Sequence, residues 1–180
     1  CIVALPVFVA ARVVVNPPPA LQAAASYLRY APWVVTNLHL SRPLADRGGA
    51  APAWDSVVYG TAGLGYVDAT HQALHTAPGT PTVLTHYRAL GDVSAGRAQL
   101  LAQPWQHWVQ AAVAELAPAH PELASRLTQA SVARYGHAMA MPTPGLLSRL
   151  VPLHQAILHN RLSKANRMLF AHSDWAGYSV

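Results

Sequence analysis

The chain has 180 residues, 52% hydrophobic and only 11% charged, and its 12 Lys and Arg against 7 Asp and Glu give a formal charge of +5. That length holds a core of ordinary domain size, and so few charges imply that much of the surface is buried or faces another domain. The basic residues are scattered, which excludes a nucleic-acid-binding arm, and no apolar run reaches the roughly 18 residues of a membrane span. The opening segment, broken by Pro6 and Arg12, lacks the basic start and small-residue cleavage site of a signal peptide. A single cysteine, Cys1, excludes internal disulfides and cysteine-rich metal sites. It fits a reducing, cytoplasmic compartment and leaves peripheral membrane association open.

In chain order, Cys1 to Pro6 reads as an apolar strand that begins without a turn or cap. Val7 to Val15 is either a short helix or a buried extended stretch, and Pro17 to Pro19 end it. Ala20 to Tyr30 is Ala-rich and helical. Val34 to Leu40 has strand character, with Val34, Thr36 and Leu38 on one face and Val35, Asn37 and His39 on the other. A loop from Ser41 to Ala53 precedes three expected strands, Ser56 to Tyr59, Gly65 to Thr70 and Thr82 to Ala89, parted by Gly- and Pro-bearing turns.

The period changes at Ser94, which can cap a helix through Ala102, and Pro104 suits the first turn of the next. Trp105, Trp108, Val109, Ala112, Val113 and Leu116 then form one amphipathic face. Glu122 to Leu127 reads as a short helix, Ser131 to Tyr135 as a returning strand, Leu146 to Asn160 as a helix and Met168 to Ala171 as a last strand. Strands followed by helices, with single strands returning, predict an α+β domain on a mixed sheet.

Ten histidines raise the question of a metal. His71 and His75 have helical i, i+4 spacing, but Gln72 stands where a zinc protease needs its Glu base, so structural or surface histidines are the reading. No G-x-S-x-G elbow is present. The run Gly60-Thr61-Ala62-Gly63-Leu64-Gly65 lacks the Lys-Ser/Thr of a phosphate loop and reads as a hairpin turn. Arg161, Lys164 and Arg167 read as a solvated helix end, with an anionic cofactor as the other source of a basic bias.

Three segments carry a resemblance: Ile2-Val3-Ala4-Leu5-Pro6, the run Pro142-Thr143-Pro144-Gly145, and Asp174 with Trp175-Ala176-Gly177-Tyr178. In this order they resemble motifs of the flavin-containing amine oxidase superfamily. The resemblance implies FAD as cofactor and hydride transfer from a substrate carbon to flavin N5, with the small-molecule substrate in a closed apolar site. It also implies that these residues are the substrate-domain portion of a longer chain, α/β as a whole. On that reading, 1–15 is an edge of a Rossmann-like FAD-binding domain, 16–165 the substrate-binding domain and 166–180 the return to the cofactor. The N-terminal FAD-binding half would be the missing partner; the Gly-rich dinucleotide fingerprint is absent here.

The same resemblance implies cofactor contacts at Pro6, Asp174, Gly177, Tyr178 and Ser179, with the backbone N–H groups of Gly177 and Ser179 toward the flavin N1/C2=O edge. Asp174 would bond a ribityl hydroxyl or cap the next helix, with a free surface carboxylate as the alternative, and Tyr178 would lie beside the flavin or plug a domain interface. Tyr66, His71, Tyr135 and His137 are the candidate substrate-side residues. His137 falls where some relatives attach FAD covalently through Cys, or else bonds the backbone in the core. Ala138 stands where a cage aromatic would be, which argues against a two-ring amine cage. No residue reads as an obligatory acid or base, so amine oxidation and desaturase or isomerase chemistry on a lipid-like substrate both stand. The competing reading is a non-catalytic hydrophobic docking domain.

Overall fold

The computed structural model describes residues 1–46, 48, 51, 53–72, 77, 79–91, 93–158 and 168–176. In chain order the elements are β1 (Ile2–Val3), α1 (Val7–Val13), α2 (Pro19–Tyr27), β2 (Arg29–Leu40), β3 (Asp55–Ser56), β4 (Gly65–Asp68), β5 (Thr82–Ala89), α3 (Val93–Ala102), α4 (Trp105–Leu116), α5 (Leu123–Arg126), β6 (Leu127–Met141), α6 (Leu146–Leu158) and β7 (Leu169–Phe170). Helices with both parallel and antiparallel pairing make the chain α+β. No helix among the described residues is long and apolar enough to cross a membrane. The backbone divides into two compact units, one of residues 1–31 with 137–180 and one of residues 32–136.

In the first unit, β1 and β7 pair in parallel, Ile2 opposite Leu169 and Val3 opposite Phe170. Bonds from Leu169 N to Cys1 O (2.9 Å) and from Ala171 N to Val3 O (3.1 Å) secure them. Val7 to Val13 resolves as a helix, because Pro6 in an extended conformation offers its carbonyl to Val9 and Ala10 N–H. Asn16 turns the chain at φ +53°, and the last of the three prolines starts α2 as its first-turn residue, where its missing N–H would have had no partner. Leu146, Leu150 and Leu153 recur on one face of α6 and pack with Val7, Ala10, Leu21, Ala24 and Trp175.

In the second unit the strand order is β3-β4-β5-β2-β6, with β3–β4, β4–β5 and β5–β2 antiparallel. Alternation sorts β2 as expected: Val34, Thr36, Leu38 and Leu40 are buried, and Trp33, Val35, Asn37 and His39 are half-buried. The buried face lies under α4, where Leu38, Leu40, Tyr66 and Leu84 meet Ala112 and Leu116. Trp108 is buried with Val34, Leu90 and Leu100. Trp105, placed on the same apolar face by spacing, is instead 53% exposed, since it stands at the first turn of α4.

Several strands differ in their ends from expectation, and β2 begins at Arg29, taking Arg29 and Tyr30 from the expected helix, which closes at Tyr27. β3 ends at Ser56, as Val57 and Tyr59 turn out to solvent. β4 stops at Asp68, whose Oδ1 accepts Thr70 N–H (2.9 Å), Thr70 Oγ1 (2.7 Å) and Thr82 Oγ1 (3.0 Å), folding the chain into a short 3-10 turn at Ala69–Gln72. β6 is 15 residues long, because it lies beside the long β2.

Candidate functional site

The first unit gathers several of the sequence-selected residues. Asp174 is buried, and its Oδ2 accepts the N–H of Val7 (3.0 Å) and the hydroxyl of Tyr30 (2.5 Å). Val7 opens α1, so the carboxylate satisfies a free N–H at the positive end of that helix. Burial, the bond to Asp174 and its charge push the Tyr30 hydroxyl far above the ordinary tyrosine range, so it stays protonated as donor. Phe8 packs edge-on to Tyr30 at 4.9 Å and stacks on the His137 ring at 4.7 Å, with His137 exposed. Pro6 lies just before this cluster as the N-cap residue of α1. Gly177, Tyr178 and Ser179 lie outside the described residues, as do His75, Arg161, Lys164 and Arg167. A groove of about 720 Å³ is lined by residues 1–5, 13–15 and Met168.

In the second unit the sheet face opposite α4 carries an aromatic frame around one polar pair. Trp33 and Tyr87 meet edge-on at 6.5 Å, and Thr85 Oγ1 donates to Asn37 Oδ1 at 2.8 Å. On β6, Ala130 and Val132 pack with the cores under the helices, so by alternation Tyr135, which is exposed, belongs to the opposite face. Such a wall offers flat apolar surface and one amide–hydroxyl pair that can orient a polar edge.

Tyr66 is buried on the helix-covered face, and its hydroxyl lies 2.7 Å from His120 Nε2. Burial raises the Tyr66 pKa; a bond with Ser56 works against this and the charge of Asp68 adds to it. Tyr66, Ser56, Asp68 and His120 border a cavity of about 200 Å³. His71 lies in the 3-10 turn after β4. Among the described residues no group of three His, Cys, Asp or Glu side chains converges to hold a metal.

Sequence reading missed one further cluster. Glu115 on α4, its side chain 7% exposed, accepts Gly63 N–H at 2.8 Å and lies 3.1 Å from Nε2 of buried His86. Burial works to raise the Glu115 pKa but is outweighed by bonds from His86 and Thr61, the His86 charge and the Gly63 N–H, so the net shift is downward. The available signal was Glu115 as the one carboxylate of α4. The Asn37–Thr85 pair was visible only as alternation on each strand separately.

No protein-family model matches the chain, and no curated protein matches it significantly. Among solved structures, it is similar to the crystal structure of a putative protoporphyrinogen oxidase from Exiguobacterium sp. 255-15. The TM-score is 0.57 over 96% of this chain at 15% identity, and the chain spans 35% of that protein's length. At that identity the likeness is one of fold.

Proposed function

We propose that the chain is the substrate-side portion of an FAD-dependent oxidoreductase, taking a hydride from a carbon of a small apolar or conjugated substrate. The observation that carries this reading is the fold likeness across 96% of the chain to a protein described as an oxidase. The amine-oxidase-like segments at Ile2 to Pro6 and Asp174 to Tyr178 agree with it, and β1 and β7 bring their strands together. On this reading 1–15 and 166–180 belong to the cofactor side, and the FAD-binding half is supplied by further sequence.

When bound, the flavin supplies the hydride acceptor. The described residues fit that group in one respect: Asp174, fixed by Val7 N–H and Tyr30, sets the start of the turn leading to Gly177. With Oδ2 so engaged, Asp174 acts by positioning that turn. The backbone N–H groups at Gly177 to Ser179 would hold the cofactor edge, with Tyr178 beside it. Substrate contacts are assigned within the second unit to the open sheet face, where Trp33, Tyr87 and Tyr135 offer ring surface and Asn37 with Thr85 orients a polar edge. Tyr66, bonded to His120 on the other face, is assigned to the packing of the sheet.

The test uses the full protein that carries this chain, with bound-flavin absorbance read after gel filtration. Gly177→Val removes flavin while the second unit stays folded by circular dichroism. Asn37→Ala retains flavin and raises KM with little change in kcat. Full flavin occupancy in Gly177→Val removes the cofactor assignment; absence of flavin from the wild-type protein favours the docking-domain reading, for which the 720 Å³ apolar groove would be the surface.

A further inference from the structure

His172 stands between β7 and the 3-10 turn Ser173–Ala176. Its carbonyl accepts Trp175 N–H at 3.1 Å, and its side chain, 28% exposed, folds back over the same turn. There Nδ1 lies 3.1 Å from the Asp174 amide nitrogen and 3.3 Å from Asp174 Oδ1. One ring nitrogen cannot serve both groups. Unprotonated, Nδ1 accepts the amide hydrogen and only faces the lone pairs of Oδ1; protonated, it donates to Oδ1 and offers the amide nothing. The two arrangements differ by a single proton. Oδ2 of the same carboxylate is held in either case by Val7 N–H and the Tyr30 hydroxyl, so Asp174 stays in place while its amide gains or loses a partner.

We propose that His172 is a positioning residue that makes the turn before Gly177 responsive to pH. Neutral, the imidazole caps the turn by holding the Asp174 amide, as a side-chain acceptor does at a helix start. Protonated, it exchanges that bond for an ion pair with Oδ1, and the turn loses its cap. An imidazole changes charge between about pH 5 and 8, so the cap is present on the alkaline side of that range and lost on the acid side. The surroundings leave this exchange to the pair. Asp174 is the only Asp or Glu among residues 1–31 and 137–180. Of the described cations in this unit, Arg12 on α1 lies over the Phe8 ring at 5.9 Å, Arg149 on α6 lies over the Tyr27 ring at 5.6 Å, and Arg29 at the start of β2 is exposed. Tyr30 is bonded to Oδ2, Cys1 and His137 are exposed, and His154 on α6 keeps its Nε2 buried. On the oxidoreductase reading above, this turn leads to the backbone at Gly177 to Ser179 that holds the cofactor edge, so flavin affinity carries the same pH dependence.

The experiment takes the full protein that carries this chain, stripped of flavin and titrated with FAD by flavin fluorescence at about pH 8 and about pH 5. NMR hydrogen exchange reads the protection of the Asp174 N–H under the same two conditions. In the wild type, protection falls and FAD binds about fivefold more weakly at the lower pH, the size of one lost cap. His172→Asn, whose side-chain oxygen accepts the same N–H without titrating, protects the amide and binds FAD equally at both. His172→Leu lacks the acceptor and binds about fivefold more weakly at both. A His172→Asn protein that keeps the wild-type pH profile overturns the proposal, since the titrating group is then another, His154 included. A wild-type Asp174 amide protected equally at both pH values overturns it as well. Should the wild type take up no FAD at either pH, the oxidoreductase reading falls, and the amide measurement alone decides for or against His172.

Discussion

Gly63→Ala adds one methyl group at the described glycine where a Cβ comes nearest its neighbours. A Cβ at Gly63 would lie 2.0 Å from Glu115 Oε1 and 2.5 Å from His86 Nε2, both inside any real contact distance. The backbone there is fixed by the neighbouring Leu64-to-Tyr87 bond, so the Glu115 carboxylate must withdraw. Its bonds to Gly63 N–H and His86 are then lost, leaving a buried imidazole and an amide without their partner. At about 1–3 kcal/mol for each stranded group, the substitution costs about 3 kcal/mol, or a fall of about 6–12 °C in the thermal midpoint of a chain this size. Urea unfolding followed by tryptophan fluorescence reads the free energy. Glu115→Gln in the Gly63→Ala background should cost less than in the wild type, because the carboxylate has already been displaced. pH supplies a second check. The Glu115 pKa is depressed in the folded protein, so its contribution is present above the ordinary carboxylate range and is lost as pH falls through the folded value. The gap between wild type and Gly63→Ala should therefore narrow on acidification. A Gly63→Ala protein within about 0.5 kcal/mol of wild type at neutral pH refutes the reasoning.

Tyr30→Phe removes one of the two donors to buried Asp174 and should destabilise by about 1.5–3 kcal/mol, read by urea unfolding, since the acceptor is a carboxylate. Leu150→Ala opens a hole where α6 meets the first unit's core and should cost about 2–5 kcal/mol by the same measurement.

Much of the fold was legible because its elements are locally specified. Thr82 to Ala89 alternates so plainly that β5 has the expected ends, and Trp108, Ala112 and Leu116 face the core as their spacing requires. Where the reading failed, distant partners decided the outcome. β6 runs from Leu127 to Met141 through Gly136 and several alanines, weak strand formers that β2 nevertheless holds in extended form. Asp174 could be read as a cap, a ribityl contact or a surface charge, because Val7 and Tyr30 are 167 and 144 residues away. The Glu115–His86–Gly63 cluster likewise joins a helix, a strand and a loop that share no sequence window.

The pairing of β1 with β7 has a consequence for how the polypeptide acquires its shape. Residues 32–136 are contiguous, so everything their unit requires has left the ribosome once Gly136 is out. The other unit holds residues 1–31 in waiting, since Ile2 and Val3 find Leu169 and Phe170 only after the whole second unit has been made. Its contact order is high for so small a body, and its closure is slow and follows that of the second unit. Until then the apolar strand Ile2–Val3 and the core side of α1 are left for chaperones to shield, so errors in synthesis at Leu169 and Phe170 should expose them.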